Sequence, residues 1–413
     1  MLKKTVGNWV DGDRFFNRQD DLAALQEHVR DGTHTLITAQ RRMGKTSLVR
    51  QLLRILDGLE GIKTVFVDLE DAKDAADAIV EISLESRSLL SLRQRAELYS
   101  SAWLRRLQTF GLSAEYSEMR VQVRARVHSG NWKRAGDRLL KNLTKGSDVV
   151  VLAIDELPLL VNRILRGRDD RPRAENIEAA DEFLSWLRRN AQAHRGRLCL
   201  IVSGSVGIAP ILKQAGLSAA LNVFSAYDLK PWSETTASAC LEDLASTYGV
   251  NLPADVREAL CRRLRSCVPH HVQQFFDALH RHLRITERSD ATLEDADVAY
   301  REDMLGTRGQ IDMDHYEDRL KLVLGTDGYR VALEFLARAA AEGTLGTRSI
   351  DEYRGILNAS RDTGADSIEF VLDILVQDGY FIRHGEEFRF ASGLLEDWQR
   401  ARRGLPVAHL AES

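Results

Sequence analysis

The chain has 413 residues, 44% of them hydrophobic, which is enough for two or three domains with conventional cores. Its 57 basic and 61 acidic side chains leave a net charge of −4, which excludes a global basic field drawing the protein onto nucleic acid or anionic membrane; local patches can still act. No window approaches about eighteen consecutive apolar residues, and the opening MLKKTVGNWVDGDR lacks the apolar stretch of a secretory signal, so a soluble, cytoplasmic protein is expected. Cys199, Cys240, Cys261 and Cys267 show no C-x-x-C spacing and read as reduced structural thiols, not disulfides or zinc ligands.

In chain order, the spacing of Leu22, Leu25 and Val29 predicts an amphipathic helix over 20–30 that ends at Gly32. Residues 35–47, TLITAQRRMGKTS, form an apolar strand, a short turn and Gly44-Lys45-Thr46 opening a helix to about residue 56. That is the pattern of a phosphate-binding loop, in which backbone N–H groups and a helix N-terminus face a phosphate chain. In it, Lys45 reaches the β- and γ-phosphates and the Thr46 hydroxyl sits on Mg²⁺, while Gln40, Arg41, Arg42, Met43, Gly44 and Ser47 complete the cradle. Ala39 stands where the pattern asks for its first glycine, which is tolerable if that residue keeps a negative φ.

A second strand is expected over 63–69, and residues 71–145 are mostly helical and too long for a single crossover, so they hold an insertion. Residues 148–156, DVVVLAIDE, then run almost continuously apolar into two carboxylates. This suits a strand buried on both faces of a parallel sheet, whose C-terminal end is where ligands bind. Asp155 is the expected Mg²⁺ residue, acting through the ion's water shell, and Glu156 the base for an attacking water.

A charged loop follows over 163–175, then a helix over 179–193 with Phe183, Leu184 and Leu187 inward, and strands over 198–204 and 223–229. The alternation predicts an α/β fold, a P-loop NTPase parallel sheet with helices on both faces, over residues 1–232. Helices over 234–248, 254–266 and 269–284 and a polar connection make a helical lid over 233–313. Helices at about 315–342, 349–358 and 365–379 with a hairpin make a winged-helix-like unit over 314–404, and 405–413 is an expected frayed tail.

The motifs, in this order, resemble those of archaeal-type AAA+ ATPases related to the signal-transduction (STAND) group. The resemblance rests on RFFNRQDDL at 14–22, the arginine pair before MGKTS, IDELP at 154–158 and VSGSVG at 202–207. It implies that Phe15 and Arg18 lie beside the adenine, with Asn17 where glycine is usual, and that Ser203 or Ser205 contacts the γ-phosphate or the lytic water. It also implies that Pro269 belongs to the lid turn, whose usual glycine is missing. His270 and His271 after it either approach the phosphates or open an exposed helix, and the second is the expectation. Arg188 and Arg189, before the sensor strand, are candidate arginine fingers, while Arg41 and Arg42 can instead bridge subunits.

The candidate recognition helix carries Asp366, Glu369, Asp373 and Asp378 and no basic residue, so it would be repelled by DNA phosphates; the unit is expected to contact protein or to autoinhibit. Between Ser86 and Arg134 ten Lys/Arg face three Glu, a balance of 10 − 3 = +7, with Trp103, Tyr116 and Trp132 interleaved. This stretch is a nucleic-acid face or, the favoured reading, a solvated or protein-docking insert. The expected function is an ATP- and Mg²⁺-dependent switch or assembly factor that self-associates or acts on a protein partner, by analogy in a defence or mobile-element setting. A DNA-binding ATPase of replication or transposition type and a non-hydrolysing nucleotide scaffold remain as alternatives.

Overall fold

The computed structural model describes residues 2–5, 7, 9–91, 94, 112–167, 173–359 and 365–412. Five parallel strands form the central sheet: β1 (Thr35–Thr38), β2 (Ile62–Asp68), β3 (Val149–Asp155), β4 (Leu198–Val202) and β5 (Ser225–Asp228), in the order β2-β3-β4-β1-β5. Because strand side chains alternate, each apolar run feeds two cores. Val151 and Ala153 of β3 and Cys199 and Ile201 of β4 face helices α1 (Gln19–Arg30) and α2 (Lys45–Leu56). Leu152, Ile154, Leu200 and Val202 face the opposite way, toward α3 (Ala75–Glu85), α6 (Leu157–Arg166) and α7 (Ala174–Ala193). The helices expected on both faces are there, and the chain has the α/β fold of P-loop NTPases.

Between β2 and β3 the insertion supplies α4 (Leu112–Arg126) and α5 (Trp132–Leu143). Arg93, Arg95, Glu97, Trp103, Arg105 and Arg106 of the basic stretch lie outside the described residues. In the described part, Arg120 pairs with Glu81, Arg124 with Asp74 and Asp77, and Lys133 with Glu182. Trp132 is no exposed stacking platform. It is buried, with its ring centroid 5.6 Å from Trp186 and 6.0 Å from Phe183.

After β4 comes α8 (Ile208–Gln214), and after β5 the lid: α9 (Glu234–Tyr248), α10 (Ala254–Leu264), α11 (Pro269–Ile285) and α12 (Leu293–Val298). The C-terminal part holds α13 (Thr307–Glu342), α14 (Thr347–Ala359), α15 (Ala365–Gln377), the hairpin β6 (Phe381–His384) and β7 (Glu387–Phe390), and α16 (Gly393–Ala401). The three helices and wing stand where the periodicity puts them. Two features differ. The first helix begins at Thr307, well before 315, and α16 after the hairpin was not foreseen.

One apolar core runs unbroken from the sheet through the lid into this C-terminal part. At the far end Asp397 of α16 is buried, accepting two bonds from Arg263 (2.7 and 2.6 Å) and one from the Tyr300 hydroxyl (2.7 Å). Among the described residues no helix is long and apolar enough to cross a membrane.

Helix α13 is broken at Gly325, whose φ of 69° and ψ of −174° are open to glycine alone. The break frees backbone carbonyls, and α6 takes them: the Asn162 amide donates to Leu322 O (3.1 Å) and the Arg166 guanidinium to Val323 O. The half before the kink therefore rests on the α/β core, and the half after it carries the winged helix. Gly325→Ala should cost on the order of 1–3 kcal/mol, read as a lower urea midpoint at unchanged slope. An unchanged midpoint would mean that the kink carries no strain.

Candidate functional site

The site is built at the C-terminal ends of β1, β3 and β4. Thr46, in the first turn of α2, donates to Asp155 Oδ2 at 2.6 Å, and Ser203, just past β4, donates to Asp155 Oδ1 at 2.7 Å. Glu156 follows at φ 59°, a left-handed conformation uncommon for a non-glycine residue, which turns its side chain toward the next loop. There its Oε2 accepts from the Ser205 amide (3.0 Å) and hydroxyl (2.9 Å). The two serines expected at one sensor position thus divide the work, one on each carboxylate. Burial, then the neighbouring Asp155 charge, push the Glu156 carboxyl up against the opposing Ser205 bonds and the Arg319 charge.

Lys45 is buried and folded back on the loop, donating to Ala39 O (2.8 Å) and Gln40 O (2.9 Å). Burial lowers its pKa, while Glu156, Asp155 and Asp378 oppose that. Ala39 is not among the residues with positive φ, so the absent first glycine is accommodated; the loop instead reverses at Arg42 (φ 67°) and Gly44 (φ 84°).

Phe15, Arg18, Arg41, Arg42, Met43, Gly44, Lys45, Thr46, Ser47, Asp155, Glu156, Ser205 and Pro269 all line one pocket. Gln40 and Ser203 do not line it but hold Lys45 and Asp155. Arg18 donates to Lys230 O (2.7 Å) and Met43 O (3.4 Å), fastening the lid connection to the loop. Asn17, in place of the usual glycine, sits at φ 59°, a conformation asparagine tolerates. Arg188 and Arg189 are not in this pocket; Arg189 is 61% exposed and stands 3.8 Å from Asp137.

His270 and His271 correct the expectation of an exposed helix start. His271 is 1% exposed and its Nε2 stands 3.2 Å from the Tyr316 hydroxyl, while His270 lines the pocket. Burial lowers both pKa values, that of His271 to about 3. The loop arginines bridge within the chain: Arg41 donates to His315 O (3.0 Å) and lies over the Tyr316 ring, and Arg42 pairs with Asp312 at 2.9 Å.

Sequence reasoning missed the far wall of the pocket, Thr5, Trp9, Val10, Phe16, Trp232 and Gln273. The 9–12 segment is pinned to α2 where Val10 N meets Ser47 Oγ (3.0 Å) and Gly12 N meets Gln51 Oε1 (2.9 Å). The aromatic residues of the lead-in and the Trp232-Ser233 pair before the lid were the available signal.

A nucleotide with its cation fits these residues. Thr5 Oγ1, Arg42 Nε and Trp232 Nε1 are buried polar atoms with no hydrogen-bond partner among the described residues, on three residues that line the same pocket. Thr46 and Asp155 would hold Mg²⁺. Among the described residues no group of three or more His, Cys, Asp and Glu gathers, so phosphate oxygens and water would complete its shell.

No family model matches the sequence and no curated protein does. Solved structures do. A Walker-type ATPase of Pyrococcus abyssi superposes with a TM-score of 0.60 at 14% identity, over 96% of this chain and 99% of that one. The ORC2 protein of Aeropyrum pernix, in its ADPNP–ADP complexes, gives 0.55 at 14% identity over 94% and 96%. At such identity the likeness speaks for the fold. The chain shares their fold over most of its length.

Asp312 also gives a stability test. Burial raises its carboxyl, but His270, Arg42 and His271 outweigh that and hold it below the usual carboxylate range. A depressed folded pKa contributes stability above the unfolded value of about 4, lost as pH falls through the folded value. Asp312→Asn should therefore lower unfolding stability by about 1–3 kcal/mol at pH 7, with the difference closing below about pH 4. A pH-independent difference would show that the charge is not what Arg42 and His270 hold.

Proposed function

We propose that the protein binds ATP with Mg²⁺ and hydrolyses it, and that the nucleotide state controls how the C-terminal part sits on the core, exposing or hiding a surface for a protein partner. The observation that carries this reading is the linked set Lys45, Thr46, Asp155 and Glu156, in contact with both sensor serines and walled by lid and lead-in. Lys45 leaves the loop carbonyls for the β- and γ-phosphate oxygens. Thr46 and Asp155 would hold Mg²⁺, whose positive charge would offset that of the phosphates. Ser205 holds one oxygen of Glu156, and the other accepts the proton of the attacking water.

The partner-control part of the reading is supported by Arg41 and Arg42, which join the phosphate loop directly to α13. Any movement of that loop on binding phosphate is felt by the winged helix. Arg188 and Arg189 would reach a phosphate only in the site of a second copy. Two observations disfavour the DNA-binding alternative: Arg120, Arg124 and Lys133 of the insert are ion-paired, and the candidate recognition helix meets the core through Asp373–Lys213 (2.8 Å).

Lys45→Ala should abolish tight nucleotide binding in a calorimetric titration. Glu156→Gln should keep binding and lower turnover by about 10²–10⁴-fold. Since Glu156 acts ionised and its pKa is raised, wild-type turnover should climb with pH through a midpoint above the ordinary glutamate value of about 4.3. Normal turnover by Glu156→Gln would assign the base elsewhere.

A further inference from the structure

The end of α15 is wedged between the two loops that frame the phosphate end of the site. Asp378, 6% exposed, accepts from the Gly207 amide at 2.8 Å, in the loop that follows the sensor serines. Its neighbours close the gap on either side. Gln377 lies so near Gly207 that a Cβ there would fall 2.4 Å from the glutamine side chain. A Cβ on Gly379 would fall 1.9 Å from the side chain of Gln40, in the phosphate loop.

The charges that act on Asp378 are Lys45 and Arg41 from the loop and α2, and Glu156 from the start of α6. Burial pushes its carboxyl up to about 7 against the Gly207 amide and these two cations, and Glu156 adds to the rise. Lys45 is correspondingly acted on by three carboxylates, Glu156, Asp155 and Asp378. Asp155 would gain a divalent cation when the site is filled; Asp378 has only the charges of Lys45 and Arg41 to offset it. The helix that delivers Asp378 also presents its C-terminus, the negative end of its dipole. The carboxylate and the helix C-terminus both disfavour an added phosphate.

We propose that Asp378 is a specificity-determining residue of the nucleotide site: while α15 is docked, its carboxylate selects a nucleoside diphosphate over a triphosphate by repelling the γ-phosphate. This rests on the ATP-switch reading above and deepens it. By linkage, a triphosphate loosens the docked helix by the same factor by which the docked helix weakens the triphosphate.

The test is calorimetric titration of the full chain at pH 8, with MgADP and with MgADPNP as the non-hydrolysable triphosphate. Asp378→Asn keeps the shape and the acceptor for Gly207 but not the charge. It should tighten MgADPNP by about tenfold, equivalent to about 1.4 kcal/mol, and leave MgADP within about twofold. Asp378→Ser, with less bulk, should move the ratio the same way. Asp373→Asn, which cuts only the exposed contact of the same helix with Lys213, should leave the ratio unchanged. If both nucleotides bind and neither Asp378 variant changes their ratio, the proposal is wrong and the switch reading stands. If neither nucleotide binds the wild-type protein, the switch reading fails and the proposal falls with it.

Discussion

Everything at the phosphate end of this molecule hangs on the carboxylate of Asp155. Two hydroxyls meet on it, Thr46 from the helix after β1 and Ser203 from the end of β4, so three strand ends are tied at one buried group. A carboxylate held this way keeps its solvation in the form of hydrogen bonds and stays ready for a cation, where an unpaired one would be costly to bury. Its neighbour Glu156 is treated differently: burial beside Asp155 raises its carboxyl above the ordinary glutamate range, which suits the base proposed for it. Two adjacent carboxylates thus have different partners and different surroundings.

The second organising contact is between the phosphate loop and α13. Arg41 and Arg42 are long, permanently charged side chains, and both are turned away from the sheet onto residues 312–316. Asp312 gathers Arg42, Gln274 (2.9 Å) and His270 (3.7 Å), so loop, lid and C-terminal part converge on one carboxylate. The kink at Gly325 lets the same helix serve both the core and the winged helix. With the buried Arg263–Asp397–Tyr300 group at the other end, the C-terminal part is held at two distant points that differ in kind. One is remote from the nucleotide, and the other is made of the nucleotide loop itself.

The sheet and the phosphate end were legible in the sequence because their signals are local. Apolar runs ending in Asp155-Glu156, and a strand turning at Gly44-Lys45-Thr46, state both an element and its chemistry within about a dozen residues. What was not legible depends on distant partners. His270 and His271 read as polar residues opening a surface helix; Asp312 and Tyr316, some forty residues later, are what bury them. The start of α13 was placed late because residues 307–314 put a single large apolar side chain, Met313, into the core, which leaves little apolar periodicity. Asp378 read as one of four acids on the candidate recognition helix, yet it sits at the helix terminus, where geometry and not face decides burial. Trp132 read as one of the aromatics interleaved in a basic, solvated or protein-docking insert and is a core residue against Trp186.

The central claim is that filling the phosphate end of the site changes the hold of the C-terminal part on the core. Backbone hydrogen exchange reads this directly, on the full chain saturated with MgADP or with MgADPNP. The account predicts faster exchange with the triphosphate at Gly207, at residues 378–380 and along 307–324, with the Asp397 end of the molecule unchanged. Identical exchange in the two nucleotide states across those segments would contradict it.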